Sequence, residues 1–267
     1  MNLALVLGVH GNSDVVFDTI DAIRTYVTQD ILVIVDGMAW DWATEISFPA
    51  YKMEGFVHGC HKSPYRNVAL GLNQAFKMWP NADWYCYCEY DVLFTSDKFK
   101  SDLEDAGNQG GWCIGNCLRT EKRQFPLLEK ITGLEFEIAK YLLGCCVFYK
   151  VDLFHKLAEI DFFDRFLWYT NPFQKGFFPC DKDVYDPGEY IYPTIANYFG
   201  GKVGQFASWD ETANTWYGSY EKYPMRWKPE ISEISTHASI IHPSKDYDHP
   251  IRHLQRMKRN AKLPERI

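Results

Sequence analysis

Apolar residues along the chain fall into short continuous runs closed by polar turn residues. Between the runs the spacing changes to that of amphipathic helices. Leu3–Val9 is the first run, and His10-Gly11-Asn12-Ser13 closes it, which predicts a strand, a turn and a helix cap. Asp14–Thr28 carries apolar residues at 16, 20, 23 and 27, a helical spacing. Ile31–Val35 is a second run and ends in Asp36-Gly37. Val68–Trp79 predicts another helix, stopped by Pro80-Asn81, and Trp84–Cys88 predicts a strand leading into Glu89-Tyr90-Asp91. Continuous β-branched runs suit parallel strands buried on both faces. Residues 1–95 therefore read β-α-β-α-β, an α/β unit.

The rest of the chain is less regular. Gly111–Asn116 and Leu142–Tyr149 predict strands, Thr132–Tyr141 and Asp152–Glu159 helices, and Phe162–Pro187 an aromatic, loop-rich stretch. Glu189–Phe199 predicts a helix that Pro193 shortens or bends. Ser239–Ile241 is a late strand delivering His242-Pro243-Ser244-Lys245. The tail, 251–267, holds six Lys or Arg against one Glu. No repeat or low-complexity linker divides the chain. The expectation is one α/β domain, a mostly parallel central sheet flanked by helices, with halves at 1–95 and 96–250 and a basic tail at 251–267.

Composition narrows the partners. The 267 residues carry a net charge of −7, which argues against nucleic acid, since that needs a basic face. An apolar share of 46% excludes a disordered chain. The longest apolar runs fall far short of the ~20 residues that cross a bilayer. A basic n-region and cleavage site are missing, and the 8 cysteines form no C-x-x-C pair. We expect reduced thiols in a cytoplasmic protein without a structural zinc. His58, Cys60 and His61 form a minor metal candidate against the ordinary reading of loop residues.

Open α/β sheets bind ligands at the carboxyl ends of their strands. Those ends carry His10, Asp36, and Glu89 with Asp91. Carboxylates at i and i+2 share one face of an extended segment and suit a divalent cation, which takes oxygen ligands; a solvated acidic turn is the plain alternative. His242, after the late strand, could add an imidazole, and Lys245 could meet a phosphate as a point charge. Glu189, after Tyr185-Asp186-Pro187-Gly188, could serve as a general base, or simply favour a helix first turn. Asp36 could accept from a ribose hydroxyl or a base N–H, or open an Asp-Gly turn. Lys62–Arg66 places cations before a helix, where a diphosphate or solvent could meet them. Arg252, Arg256, Lys258, Arg259, Lys262 and Arg266 accompany Ile251, Leu254 and Met257. That tail reads either as a peripheral membrane contact or as a helix packed on the domain.

The pieces together resemble the GT-A-fold glycosyltransferases, a Rossmann-like fold that transfers sugar from nucleotide-sugar donors. LALVLGVHGN is similar to the opening strand and nucleotide loop, ILVIVDG to the second strand with its acid, and WYCYCEYDVLF to the strand bearing D-x-D. YLLGCCVFYKVDLFHKL resembles the segment with a small residue beside the donor sugar. DPGEYIYPTIANYFGGKVG resembles the segment with the catalytic acid, and ASIIHPSKD the late strand whose His completes a metal site. The resemblance implies Mn²⁺ or Mg²⁺ on Asp91, Glu89 and His242, with Glu89 also near the ribose, and Lys245 on the diphosphate. It implies His10 and Asp36 on the nucleoside; Arg66, from the segment before the helix where a diphosphate could sit, is a further donor-binding candidate. Glu189, or Asp186 in competition, would be the base if the enzyme inverts. Departures are a Glu in the first position of D-x-D, an Asn67 two positions from the common family-2 pattern, and no Glu-Asp pair at the acid. The donor would be a UDP-sugar and the acceptor a glycan or lipid-linked hydroxyl. Two other classes are weighed: a nucleotidyltransferase, disfavoured because no cation follows the first strand, and a non-catalytic carbohydrate-binding domain.

Overall fold

The computed structural model describes residues 1–10, 12–35, 50–55, 63–171, 188–207, 225–227 and 239–262. Along the chain the elements are β1 Leu3–Val9, α1 Ser13–Tyr26, β2 Asp30–Val35, β3 Tyr51–Glu54, α2 Ser63–Met78, β4 Trp84–Glu89 and β5 Leu93–Phe94. There follow α3 Phe99–Asn108, β6 Gly111–Glu121, α4 Pro126–Thr132, β7 Ala139–Lys150, α5 Val151–Glu159 and α6 Phe162–Tyr169. The last are α7 Gly188–Tyr198, β8 Lys202–Ala207, β9 Met225–Trp227, β10 Ile240–His242 and α8 Pro250–Lys262.

Seven strands form the main sheet in the order β3-β2-β1-β4-β7-β6-β8. The pairs β3–β2, β2–β1, β1–β4 and β6–β8 are parallel, and β7 runs antiparallel to both its neighbours. The mostly parallel α/β sheet expected from the sequence is therefore present. Every residue of β1 is buried, as a central strand covered on both faces requires. The alternation of side chains sorts them between two cores. Ala4 and Val6 join Leu32, Ile34 and the helices α2 and α4–α7, while Leu5, Leu7 and Val9 join Ile31, Val33 and the helices α1 and α3. Helix α1 begins where Asn12 Oδ1 accepts the Asp14 N–H at 2.8 Å, a side-chain cap.

Strand β1 lies between β2 and β4, and the helices leading to those two strands cover opposite faces. The carboxyl ends of β1 and β4 thus open the crevice of a topological switch point. A second sheet, β5-β10-β9, stands beside it.

Two predicted elements are corrected. Thr132–Tyr141 is not a helix: α4 ends at Gly133, whose φ of 74° closes it in the left-handed region, and β7 begins at Ala139. Phe162–Tyr169 is the helix α6 rather than loop, because Phe162, Phe163 and Phe166 bury one face. Of the tail, the described residues 251–262 belong to the helix α8 packed on the domain, one of the two readings the sequence offered, with Arg252 and Arg259 buried. No helix among the described residues is long and apolar enough to cross a membrane.

Candidate active site

Strand β4 runs its apolar course and ends on Glu89 at the crevice. The next N–H, of Tyr90, donates to the Gly8 carbonyl at 3.0 Å, and the Val92 N–H donates to the Glu89 carbonyl at 3.0 Å, so the chain turns at once. Asp91 sits on that turn. Strand β5 follows and pairs antiparallel with β10, Leu93 opposite Ile241 and Phe94 opposite Ile240. Two bonds extend the ladder: Thr95 N–H to the Ser239 carbonyl at 2.9 Å and Ser244 N–H to the Asp91 carbonyl at 2.8 Å. This register lays His242 against the turn. Its Nε2 is 3.3 Å from Asp91 Oδ1 and 3.6 Å from Glu89 Oε2. One ligand atom from each of Glu89, Asp91 and His242 lies within 4.8 Å of the others. Lys245 Nζ is 3.8 Å from Asp91 Oδ2, and its side chain is exposed.

Asp91 is 1% exposed, and its Oδ1 accepts no well-aligned hydrogen bond within the described structure. A buried carboxylate oxygen in that state is costly unless something else meets it. Two carboxylates and an imidazole are the donor set of a small divalent cation with open positions, so the residues fit Mn²⁺ or Mg²⁺. In the metal-free state a proton serves instead. Burial works against the charge on His242, but Asp91, Cys145 and Glu89 beside it outweigh that and raise its pKa to about 11. Burial likewise works to raise Asp91, and the His242 and Lys245 charges overcome it, so its carboxyl titrates below the usual range.

Glu89 also lines a cavity of about 200 Å³ with Tyr65, Tyr87, Gly144, Tyr149, Glu189 and Tyr192 among its walls. Glu189 stands in the first turn of α7. Burial pushes its carboxyl above the usual value, against a hydrogen bond from the Gly144 N–H, and the Glu89 charge adds to the rise. Gly144 allows a close approach there: a Cβ at that position would lie 3.2 Å from Glu189 Cγ, tighter than an ordinary contact. Tyr65 is driven up to about 12 by burial and by the Glu189 and Glu89 charges, so its hydroxyl stays protonated. The cavity thus holds two carboxylates, Glu89 of the cation cluster and Glu189, between aromatic walls.

Glu89, Asp91, His242, Lys245 and Glu189 therefore come together at one rim. His10 stands just beyond the end of β1, its ring 4.8 Å edge-on from that of Tyr90, the residue between Glu89 and Asp91. Arg66 does not join the rim. It is buried, and its guanidinium donates to the Leu167 carbonyl and to Thr170 Oγ1 at the end of α6, which corrects its expected place at the diphosphate. Asp36, Asp186, His58, Cys60 and His61 lie outside the described residues. Sequence reasoning missed Tyr65 and Tyr141, which borders Glu189. It expected a small residue in the segment Tyr141–Leu157 but did not single out Gly144, although a lone glycine inside the apolar run Tyr141–Tyr149 is itself a sign of close approach.

No protein-family model and no curated protein sequence matches the chain. Some solved structures are similar to it. A glycosyltransferase involved in glycosylation of the major capsid of PBCV-1 is 10% identical over 98% of this chain and 100% of that one, with a TM-score of 0.44. The galactosyltransferase LgtC, in complex with donor and acceptor sugar analogues, is 12% identical over 98% of each chain, with a TM-score of 0.44. A cytidylyltransferase from Leptospira borgpetersenii is 13% identical over 77% of this chain and 75% of that one, with a TM-score of 0.41. These are likenesses of backbone shape alone.

Proposed function

We propose that the chain is a metal-dependent glycosyltransferase, moving a sugar from a UDP-sugar to the hydroxyl of a glycan or lipid-linked acceptor with inversion. The observation that carries this reading is the double membership of Glu89. It belongs to the carboxylate–imidazole cluster and also to the wall of the cavity that holds Glu189. An activating cation and a basic carboxylate bordering one sugar-sized space is the arrangement that glycosyl transfer needs.

In this reading Asp91, Glu89 and His242 hold Mn²⁺ or Mg²⁺. When bound, the cation supplies Lewis-acid stabilisation of a leaving diphosphate. Lys245 adds a point charge to the same diphosphate. His10 and Asp36 hold the nucleoside, so residues 1–95 form the donor half and 96–250 the acceptor half of a cytoplasmic enzyme. Glu189 takes the proton of the acceptor hydroxyl; a carboxyl raised by burial is a better base than one at its ordinary value. Tyr65, kept protonated, donates to a sugar hydroxyl in the cavity, and the tyrosine rings offer flat apolar faces to the ring.

A nucleotidyltransferase would need cations after the first strand to meet a triphosphate, and His10-Gly11-Asn12-Ser13 supplies none. The test is to incubate the chain with Mn²⁺ and a panel of nucleotide-sugars, and follow nucleotide release and acceptor product. We expect release with one donor, none from Asp91→Asn, and a larger loss for Glu189→Gln than for Asp186→Asn. Pyrophosphate formed from a nucleoside triphosphate and a sugar 1-phosphate, with no nucleotide-sugar consumed, would overturn the reading in favour of the nucleotidyltransferase.

A further inference from the structure

Helix α8 carries charge that the proposed chemistry does not use. Asp18 of α1 is buried and meets three α8 arginines: Arg252 at 2.6 Å, Arg256 at 3.8 Å, and Arg259 in close contact. Neutralising one carboxylate takes one cation. The most deeply buried of the three, Arg252 at 0% exposure, has other partners as well. Its Nε donates to the Ser244 carbonyl at 2.8 Å, and one terminal nitrogen donates to Thr19 Oγ1 at 3.1 Å.

Each of those partners reaches one side of the cation cluster. Ser244 follows the His242–Pro243 pair and donates its own N–H to the Asp91 carbonyl. Thr19 donates its hydroxyl to the Tyr90 carbonyl at 2.7 Å, between Glu89 and Asp91. A guanidinium is planar, and its donors leave in fixed directions. Arg252 therefore bridges the Glu89–Asp91 turn, through Thr19, and the His242–Lys245 segment, through Ser244, beside the direct ladder bonds between them. Arg259 shares the helix and the Asp18 partner, and its recorded bond goes to Asp18.

We propose that Arg252 is the positioning residue of the cation cluster, so that docking of α8 holds the two ligand-bearing segments in register. The consequence for affinity rests on the metal reading above; the consequence for geometry rests on the hydrogen bonds alone. The experiment compares Arg252→Lys with Arg259→Lys in the full chain. The readouts are melting temperature, hydrogen exchange at the Ser244 amide, and Mn²⁺ affinity by paramagnetic resonance.

Both variants should lower the melting temperature. Only Arg252→Lys should speed exchange at Ser244 and weaken Mn²⁺ about 10–100-fold, the usual effect of losing support behind a ligand. If Ser244 exchange and Mn²⁺ affinity follow the melting temperature alike in both variants, α8 is a brace and the proposal fails. If the wild type binds no Mn²⁺, the metal reading fails, and the positioning role is decided by Ser244 exchange alone. Should Arg252→Lys not fold, Thr19→Val removes only the arm to Tyr90. Weaker Mn²⁺ binding by that variant supports the proposal, and unchanged binding overturns it.

Discussion

Asp91 and Glu189 are carboxylates of one site, and their surroundings move them apart. The His242 and Lys245 charges hold Asp91 below the ordinary range, while burial and Glu89 lift Glu189 above it. Such a separation assigns roles: the first stays ionised as a ligand, the second exchanges a proton. Two predictions follow at this scale. Asp91→Asn should lose Mn²⁺ binding in an equilibrium titration; retained binding would place the cation elsewhere. Glu189→Gln should lower kcat about 10²–10⁴-fold and also change stability. Because Glu189 holds its proton more tightly folded than unfolded, ionisation costs stability as pH rises above the usual 4.5. The variant should therefore melt higher than wild type at neutral pH, with the difference fading below about pH 4.5. A Gln variant that melts lower at neutral pH would mean that the bonds from Gly144 and Tyr141 outweigh the burial.

At the scale of elements, the strands β1, β2 and β4 were legible because both their faces are buried, which leaves an uninterrupted apolar run. The cluster of Glu89, Asp91 and His242 was legible for a related reason, since each residue stands at the end of such a run. Elements whose apolar residues serve other purposes were not. Strand β3 is mostly exposed, and α6 is too aromatic for its period to show. Leu134, Phe136 and Ile138 alternate after the Gly133 stop, an extended spacing rather than a helical one, so the helix expected over Thr132–Tyr141 had no periodic support beyond Gly133. Arg66 and Arg252 could not have been assigned at all, because a cation's sequence does not reveal whether it meets a phosphate, a helix end or a buried aspartate. Packing of α2 gives a prediction at this scale. A Cβ on Gly71 would lie 2.5 Å from Val6 Cγ1 in the fully buried β1. Gly71→Ala gains about 1 kcal/mol of helix propensity but overpacks a stiff branched contact, at about 1–3 kcal/mol. Denaturant unfolding should show a net loss of about 1 kcal/mol; a gain would mean that the helix can lift off the sheet cheaply.

For the whole molecule, the architecture supplies one crevice and gathers distant parts of the chain to it. The β1–β4 switch point gives the opening, the small sheet brings His242 from the other end of the sequence, and α7 adds Glu189 to the cavity wall. Carboxylates from two of these sources line one cavity in a chain of net charge −7, which favours a cation there. The most direct test is melting temperature across nucleoside diphosphates and nucleotide-sugars, each with Mn²⁺ and with a chelator, for wild type and Asp91→Asn. Ligands that bind only the native state stabilise it by mass action, about 2.7 kcal/mol at a hundredfold excess over Kd. The account predicts a rise for one nucleotide and its sugar that requires Mn²⁺ and is absent in Asp91→Asn. A rise that is equal under chelation, or no rise with any donor, would contradict it.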